Sequence, residues 1–208
     1  MPSIKYWNKF YKKTNHIKKE TLFAKFCAKK LKNYPGTLYD VGCGNGRDVF
    51  YFNKRKINCI GIDISHEVIK KNINGKHLLF RNKFIKSDFS SFFKKKIKNK
   101  KFSIYSRFTL HTINYKDEKK FLHHLSKQKN LDFIFIETRT TKDELYGVGK
   151  KIGRHEFISS HYRRFIDTKE IKKKLKKKFI IKYFKEGKNF AKFKKENPWI
   201  LRIIAKKK

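Results

Sequence analysis

The stretch that decides the fold is Asp40-Val41-Gly42-Cys43-Gly44-Asn45-Gly46-Arg47-Asp48. It follows the apolar run TLYDVG at 37–42, which is typical of a buried strand, and precedes a segment with helical spacing. Its three alternate glycines let the backbone turn sharply and approach a ligand closely, because no Cβ intervenes. A dinucleotide-binding loop, G-x-G-x-x-G, would place its third glycine at position 47, where this chain has arginine. The stretch therefore predicts a strand–loop–helix unit that binds a cofactor with a zwitterionic amino-acid tail.

Two further acidic residues end the next two predicted strands. Asp63 lies at the end of INCIGIDI, where an acidic side chain can accept hydrogen bonds from both hydroxyls of a ribose. Ser65 is better placed than Asp63 to cap the following helix. In Ser87-Asp88-Phe89 the aspartate can accept a hydrogen bond from an adenine amino group, and the phenylalanine can cover the ring. A surface turn is the alternative interpretation of this third stretch.

The remaining apolar runs alternate with lysine-rich stretches of helical length, which is typical of a parallel sheet flanked by helices. Predicted strands cover 37–42, 57–64, 83–86, 102–108, 131–138, 179–185 and 199–205, and predicted helices cover 20–33, 65–74, 115–129 and 167–178. Only a short polar link joins the last two strands, so we expect the final strand to be antiparallel to its predecessor. The predicted fold class is α/β, a seven-stranded, mostly parallel sheet with helices on both faces and a C-terminal antiparallel strand.

No internal repeat or linker divides the chain, and we expect one domain over residues 1–208. Within it, residues 1–35 form a helical, aromatic N-terminal segment. The longest irregular segment, residues 139–166, has a length that is usually functional in a compact domain. No apolar run approaches the roughly 20 residues of a membrane span, and the first residues lack the apolar core of a secretory signal, so we expect a cytoplasmic protein. The three cysteines match no zinc pattern and predict reduced thiols without a bound metal.

The formal charge of +39 is typical of proteins with a polyanionic partner. The excess consists almost entirely of lysine, however, with 47 Lys against 9 Arg, and it is spread along the whole chain. Phosphate and base recognition favour arginine for its planar fork. Lys, Asn, Ile, Phe and Tyr are enriched together, which a bias toward A/T-rich codons also predicts. We therefore expect a solvated basic surface whose binding to nucleic acid is non-specific.

The order DVGCGNGRD, GIDIS, KSDF and YSRFTLH, over about residues 20–206, resembles class I S-adenosylmethionine-dependent methyltransferases. The resemblance implies a Rossmann-like sheet of seven strands that ends in an antiparallel hairpin, an enzyme, and S-adenosyl-L-methionine as its cofactor. Arg47 and Asp48 match a GNGRD variant that is common among small-molecule members. The predicted cofactor-binding residues are Asp40, Gly42, Cys43, Gly44, Gly46, Arg47, Asp48, Asp63, Ile64, Ser87, Asp88, Phe89 and Arg107.

Residues 138–167 and the stretch ENPWILRIIAKK resemble methyltransferases encoded with bacterial capsule and other surface-polysaccharide pathways. This finer resemblance implies O-methylation of a small sugar or of a phosphorylated or nucleotide-linked precursor. His111 is the candidate general base for a hydroxyl acceptor, and a packed histidine is the alternative. Arg107 is the second catalytic candidate, since it could pair with an anionic group of the acceptor. The predicted substrate-binding residues are Arg139, Tyr146, His161, Tyr162, Arg163 and Arg164.

That set favours an anionic acceptor, because arginine in a lysine-dominated chain suggests bidentate binding of phosphate or carboxylate. Surface salt bridges are the alternative role of these arginines. Near the N-terminus, Tyr6, Trp7 and Tyr11 are predicted to form a lid over the cofactor, whereas Phe10 is predicted to pack in the core.

An RNA methyltransferase is the main alternative function, because RFTLH is similar to a motif of RNA cap guanine methyltransferases, with arginine where they carry glutamine. The sequence lacks the N/D-P-P-Y/F run of adenine amino methylation and the Pro-Cys nucleophile of cytosine methylation. A non-catalytic, basic RNA-binding protein with the same fold is a further alternative, against which the intact cofactor motifs argue.

Overall fold

The computed structural model describes residues 4–13, 19–75, 78–98, 101–193 and 196–208. A central sheet contains seven strands. They are β1 (Thr37–Val41), β2 (Cys59–Asp63), β3 (Phe84–Lys86), β4 (Phe102–Arg107), β5 (Leu131–Arg139), β9 (Phe179–Gly187) and β10 (Ile200–Lys207). The strand order is β3-β2-β1-β4-β5-β10-β9. This confirms the predicted Rossmann-like α/β fold.

The first five strands are parallel, and β10 is antiparallel to both β5 and β9. The prediction of an antiparallel final strand is confirmed. In the register of the sheet, Asp40 lies beside Gly61 of β2 and Tyr105 of β4. The carboxyl ends of the parallel strands therefore meet at one edge, where ligands bind in open α/β sheets.

Seven α-helices are present in the described residues: α1 (Ile4–Lys13), α2 (Leu22–Lys30), α3 (Arg47–Lys54), α4 (His66–Ile73), α5 (Phe89–Phe92), α6 (Tyr115–Ser126) and α7 (Thr168–Lys176). Most begin where a polar side chain caps the first turn. Ser65 Oγ accepts a hydrogen bond from the amide of Val68, as predicted, and Thr21 Oγ1 accepts one from the amide of Ala24. The Thr21 cap starts α2 two residues later than the sequence predicts.

Apolar side chains alternate between two cores, one on each face of the sheet. Leu38 and Tyr105 face the core that contains α2 and α3, whereas Tyr39 and Ile104 face the core that contains α6 and α7. Burial on both faces is what a parallel sheet requires. Both faces are therefore closed, and the site must lie at a strand edge.

Residues 139–166 are not irregular, contrary to the prediction. They contain β6 (Lys150–Gly153), β7 (Glu156–Ile158) and β8 (Tyr162–Arg164), which form a separate antiparallel sheet of three strands. Strands of three or four residues are too short to show a clear alternating pattern, so the sequence gives no signal for them. Residues 139–166, here called the insertion, are consequently a structured element beside the main sheet.

The chain has no described helix that is both long enough and apolar enough to cross a membrane.

Candidate active site

A cavity of about 900 Å³ opens at the carboxyl edge of the parallel strands. Its volume is in the range of small-molecule and cofactor sites. The loop after β1, the ends of β2, β4 and β5, α1, the start of α2 and the link between β9 and β10 contribute its walls. Of the predicted site residues, it is lined by Trp7, Tyr11, Asp40, Gly42, Cys43, Gly44, Arg47, Asp48, Asp63, Ile64, Asp88, Phe89, Arg107, His111, Arg139 and His161.

The glycine loop has the backbone conformation that its sequence predicts. Gly42, Gly44 and Gly46 have φ angles of +70°, +52° and +71°, which residues with a Cβ rarely adopt. A Cβ on Gly42 would lie 2.5 Å from Thr109 Oγ1, and one on Gly44 would lie 2.6 Å from Tyr11 Oη. The loop therefore fits closely between α1 and the segment after β4. Gly46 begins α3 outside the cavity lining.

Three buried aspartates give the loop side of the cavity an acidic character. Asp63 accepts hydrogen bonds from the amides of Gly44 and Ser65, both at 2.9 Å, so its carboxylate ties the glycine loop to the start of α4. Burial, together with the charges of Asp48 and Asp63, raises the pKa of Asp40 well above its ordinary value. Such a carboxylate cluster favours a ligand that carries positive charge.

Asp48 belongs to a buried hydrogen-bond network as well as to the cavity wall. Its carboxylate accepts hydrogen bonds from the amide and the hydroxyl of Thr21, both at 2.8 Å, and from the hydroxyl of Tyr105 at 2.7 Å. The network joins the starts of α2 and α3 to β4. Sequence analysis missed Thr21 and Tyr105, because nothing local in the sequence links positions 27 and 57 residues from Asp48.

The predicted adenine-binding stretch lies partly in the wall. Asp88 and Phe89 line the cavity, whereas Ser87 does not. The Asp88 carboxylate accepts hydrogen bonds from the amide and hydroxyl of Ser90 at 2.9 and 2.8 Å, and it thereby caps α5. Asp88 therefore combines a turn-forming role with a position beside the cavity.

The opposite side of the cavity is basic and contains His111. This histidine lies in a short 3₁₀ helix, is buried, and has no hydrogen-bond partner at Nδ1 among the described residues. Burial and the neighbouring charges of Arg139 and Arg163 lower the pKa of His111 well below 6.5. The imidazole is therefore neutral at physiological pH, which is the protonation state of a general base.

Arg107 approaches the cavity from β4 and is held by a buried glutamate that sequence analysis missed. Its Nε donates a hydrogen bond to Glu137 Oε1 at 3.0 Å, and Arg202 Nε donates one to Glu137 Oε2 at 2.6 Å. The Arg107 guanidinium also lies 4.2 Å from the ring centroid of Phe108. Glu137 on β5 thus fixes one arginine on each of the two strands beside it, β4 and β10. These three residues are far apart in the sequence, and no sequence motif connects them.

The structure separates the three arginines that the sequence groups together. Arg139 lines the cavity and is hydrogen-bonded to Asp143 at 3.0 Å and to Glu196 at 2.8 Å. Its charge is therefore already balanced by two carboxylates. Asp143 and Glu196 were not among the predicted site residues.

Arg163 and Arg164 point in different directions, as alternating positions on β8 require. Arg163 donates to Ser159 Oγ at 2.8 Å and lies close enough to lower the pKa of His111. Arg164 is buried, pairs with Glu118 and donates to the carbonyl of Ile113 at 3.0 Å. It therefore fixes the 3₁₀ helix that carries His111 and does not line the cavity.

Tyr146 and Tyr162 also lie outside the cavity lining. The hydroxyl of Tyr146 is 2.9 Å from Nδ1 of His155, and its ring packs against Phe157 and Phe165 within the insertion. Tyr162 is buried in β8. Both contribute to the internal packing of the insertion.

Helix α1 covers one side of the cavity. Trp7 and Tyr11 line it, and Tyr6 stacks on His161 of the insertion with ring centroids 5.5 Å apart. The hydroxyl of Ser65 donates to Asn8 at 2.8 Å and attaches α1 to the start of α4. Phe10 is 36% exposed and lines the cavity, so the prediction that it packs in the core is wrong.

Comparisons with known proteins agree with this geometry. A protein-family model described as a methyltransferase domain matches residues 36–201. A solved protein from Pyrococcus horikoshii is 15% identical, with a TM-score of 0.68 over 89% of this chain and 88% of that one. An S-adenosylmethionine-dependent methyltransferase from Clostridium acetobutylicum is 16% identical, with a TM-score of 0.64 over 97% and 95%.

A Burkholderia thailandensis 1,6-didemethyltoxoflavin-N1-methyltransferase, solved with bound 1,6-didemethyltoxoflavin and S-adenosylhomocysteine, is 15% identical, with a TM-score of 0.62 over 89% of this chain and 76% of that one. No curated protein sequence matches. These structural likenesses show the fold, and the family match over residues 36–201 shows the family. The chain belongs to the methyltransferase domain family and is an S-adenosylmethionine-dependent methyltransferase.

Proposed function

We propose that this enzyme methylates an oxygen atom of a small anionic acceptor, a sugar or a phosphorylated or nucleotide-linked precursor of surface polysaccharide. The observation that carries the proposal is the distribution of charged side chains along the strand ends that line the cavity. Asp40, Asp48 and Asp63 lie on one side, and Arg107 and Arg139 lie on the other. A cationic cofactor fits the first side, and an anionic acceptor fits the second.

The acidic side fits S-adenosylmethionine. When bound, this cofactor supplies an electrophilic methyl group on a positively charged sulfonium sulfur. Asp40 and the glycine loop would hold its amino-acid tail, Asp63 would hold its ribose, and Ile64, Asp88 and Phe89 would hold its adenine. Each carboxylate oxygen of Asp63 already accepts one hydrogen bond from a backbone amide, and each can accept a second one, from the ribose.

The basic side fits an acceptor that carries a phosphate or carboxylate next to the reacting hydroxyl. His111 would accept the proton of that hydroxyl, since its side chain lines the cavity and its imidazole is neutral. Arg107 and Arg139 would orient the anionic group, with Arg163 adding positive charge from behind. His161 would contact the acceptor from the insertion.

Helix α1 would act as the lid. Tyr11 packs against Gly44 of the glycine loop, Trp7 lines the cavity, and the stack of Tyr6 on His161 joins α1 to the insertion. A closed lid excludes water and holds the acceptor in a reactive orientation.

The proposal is tested by methyl transfer from radiolabelled S-adenosylmethionine to matched acceptors, namely a free hexose, its phosphate and its nucleoside-diphosphate derivative. We expect kcat/KM to favour the phosphorylated acceptors by roughly 10- to 100-fold, which corresponds to about 1.5–3 kcal/mol. Equal turnover of the free hexose would contradict the proposal that the acceptor is anionic. Transfer to an RNA oligonucleotide that persists when salt rises from about 50 to 200 mM would favour RNA methylation instead.

A further inference from the structure

We propose that the mouth of the cavity docks on the surface of an anionic lipid bilayer. Six of the cavity-lining side chains that are at least partly exposed are here called the rim, and the acidic Glu20 and Glu196 lie at the same opening. Three are large and apolar, and three are basic. They are Phe10, Leu22 and Phe193, with Lys19, Lys25 and Lys192.

The apolar half of the rim is unusually open to solvent. Phe10 is 36%, Leu22 is 58% and Phe193 is 48% exposed. Exposed apolar side chains that occur singly need no explanation, but three around one opening form a patch of the kind that marks an interaction surface. These side chains come from α1, α2 and the link between β9 and β10, so the fold itself brings them together.

The basic half of the rim belongs to a protein surface on which basic side chains greatly outnumber acidic ones. Eight of the 17 acidic residues are buried: Asp40, Asp48, Asp63, Asp117, Glu118, Asp132, Glu137 and Asp143. Within the rim, Lys25 pairs with Glu20 at 3.1 Å. Anionic headgroups attract lysine without needing the fork of arginine, so the chain's lysine-dominated charge suits a lipid surface.

Helix α1 has the character of an interfacial helix. Its ten residues include four lysines and no acidic residue, and Phe10 is exposed on its other face beside Trp7, which lines the cavity. Basic helices with tryptophan and phenylalanine on the other face lie in the plane of a membrane interface. Single-stranded RNA would instead favour a series of stacking aromatic rings, whereas Leu22 offers no ring. The rim therefore fits a bilayer better than RNA.

Co-sedimentation of this 208-residue chain with vesicles tests the proposal without any acceptor, so its result is independent of the proposed methylation. Vesicles of phosphatidylcholine alone are compared with vesicles containing about 30% phosphatidylglycerol, at roughly 150 mM salt. We expect binding to the anionic vesicles only. The double variant Leu22→Ser, Phe193→Ser should lower the partition coefficient at least about tenfold, because it removes two apolar side chains from the bilayer.

The matched control is Leu79→Ser, since Leu79 is 90% exposed and does not line the cavity. It should bind as the unmodified chain does, and thermal melting should show that all variants fold. Equal binding by the double variant, or an equal loss in the control, would overturn the proposal. So would a rim variant that weakens binding of an RNA oligonucleotide more than binding of vesicles, because the rim would then be an RNA site.

Discussion

The guanidinium of Arg139 donates a hydrogen bond to the carboxylate of Glu196 at 2.8 Å, and both side chains line the cavity. The Glu196 carboxylate is 65% exposed, whereas Arg139 is mostly buried. An exposed carboxylate therefore already pairs with the arginine that we propose for the acceptor's anion. An anionic acceptor has to compete with it.

Replacing that carboxylate should improve acceptor binding. Glu196→Gln should lower KM for an anionic acceptor by up to about fivefold, since exposed pairs contribute roughly 1 kcal/mol at most. Steady-state kinetics measure this, with Glu144→Gln as the control, because Glu144 pairs with Lys188 outside the cavity. A raised KM would show that Glu196 assists binding rather than opposing it.

Removing Asp63 should weaken cofactor binding. Asp63→Ala should cost about 1–3 kcal/mol in affinity for S-adenosylmethionine, because it removes the ribose acceptor and frees the amide of Gly44 from its partner. Titration calorimetry gives the change. Asp167→Ala is the control: it removes the cap of α7, outside the cavity, and should lower stability by about 1 kcal/mol without changing affinity. Equal affinities in the two variants would exclude Asp63 from the cofactor site.

His111→Ala should decide whether a base is needed. With a hydroxyl acceptor, we expect a loss of roughly 10²–10⁴ in kcat. His123→Ala, an exposed change on α6, should leave kcat unaltered. A loss of less than tenfold in the His111 variant would indicate an acceptor that is already an oxyanion.

The pH dependence of kcat/KM should reflect the lowered pKa of the buried His111. Burial, Arg139 and Arg163 lower the pKa of His111 well below 6.5, so kcat/KM should stay level through pH 6.5 and fall only in more acidic solution. The lowered pKa of His111 also makes the stability of the fold depend on pH. Below the ordinary histidine pKa the unfolded chain binds a proton that folded His111 does not, so stability decreases as the pH falls. A rate that halves near pH 6.5, together with an unchanged profile in His111→Ala, would assign the titration to another group.

Glu137 should matter chiefly for stability. It is almost fully buried between Arg107 and Arg202, so Glu137→Ala would leave two arginines without their shared carboxylate. We expect a loss of about 3–5 kcal/mol in the free energy of unfolding. Urea denaturation measures it, and the exposed Glu144→Ala should change stability by less than about 1 kcal/mol. Comparable midpoints for the two variants would contradict the structural role of Glu137.

The parts of the site that the sequence predicted are those determined by neighbours in the chain. The glycine loop, Asp63 at a strand end and the Ser65 cap each depend on a few adjacent residues, and the structure has them as predicted. The parallel direction of the first five strands was also predictable, because strands that alternate with helices are joined by crossover connections.

What the sequence could not predict depends on contacts between distant residues. Arg163 and Arg164 are adjacent, yet the pleat of β8 sends one toward the basic side of the cavity and the other to Glu118. The pairing of Glu137 with Arg202 spans 65 residues and has no local signature. Phe10 was misassigned because its aromatic neighbours suggested a core, whereas α1 lies on the surface.

The position of β10 also determines the order in which the protein can mature on the ribosome. This strand is the last in sequence, yet it pairs with β5 on one side and β9 on the other. Until it emerges, β5 (LDFIFIETR) is an open edge of high β-propensity, and such edges template aggregation. We therefore expect chaperones and proteases to bind nascent or truncated chains that stop before Ile200, even though these chains already contain all five parallel strands, β1 to β5.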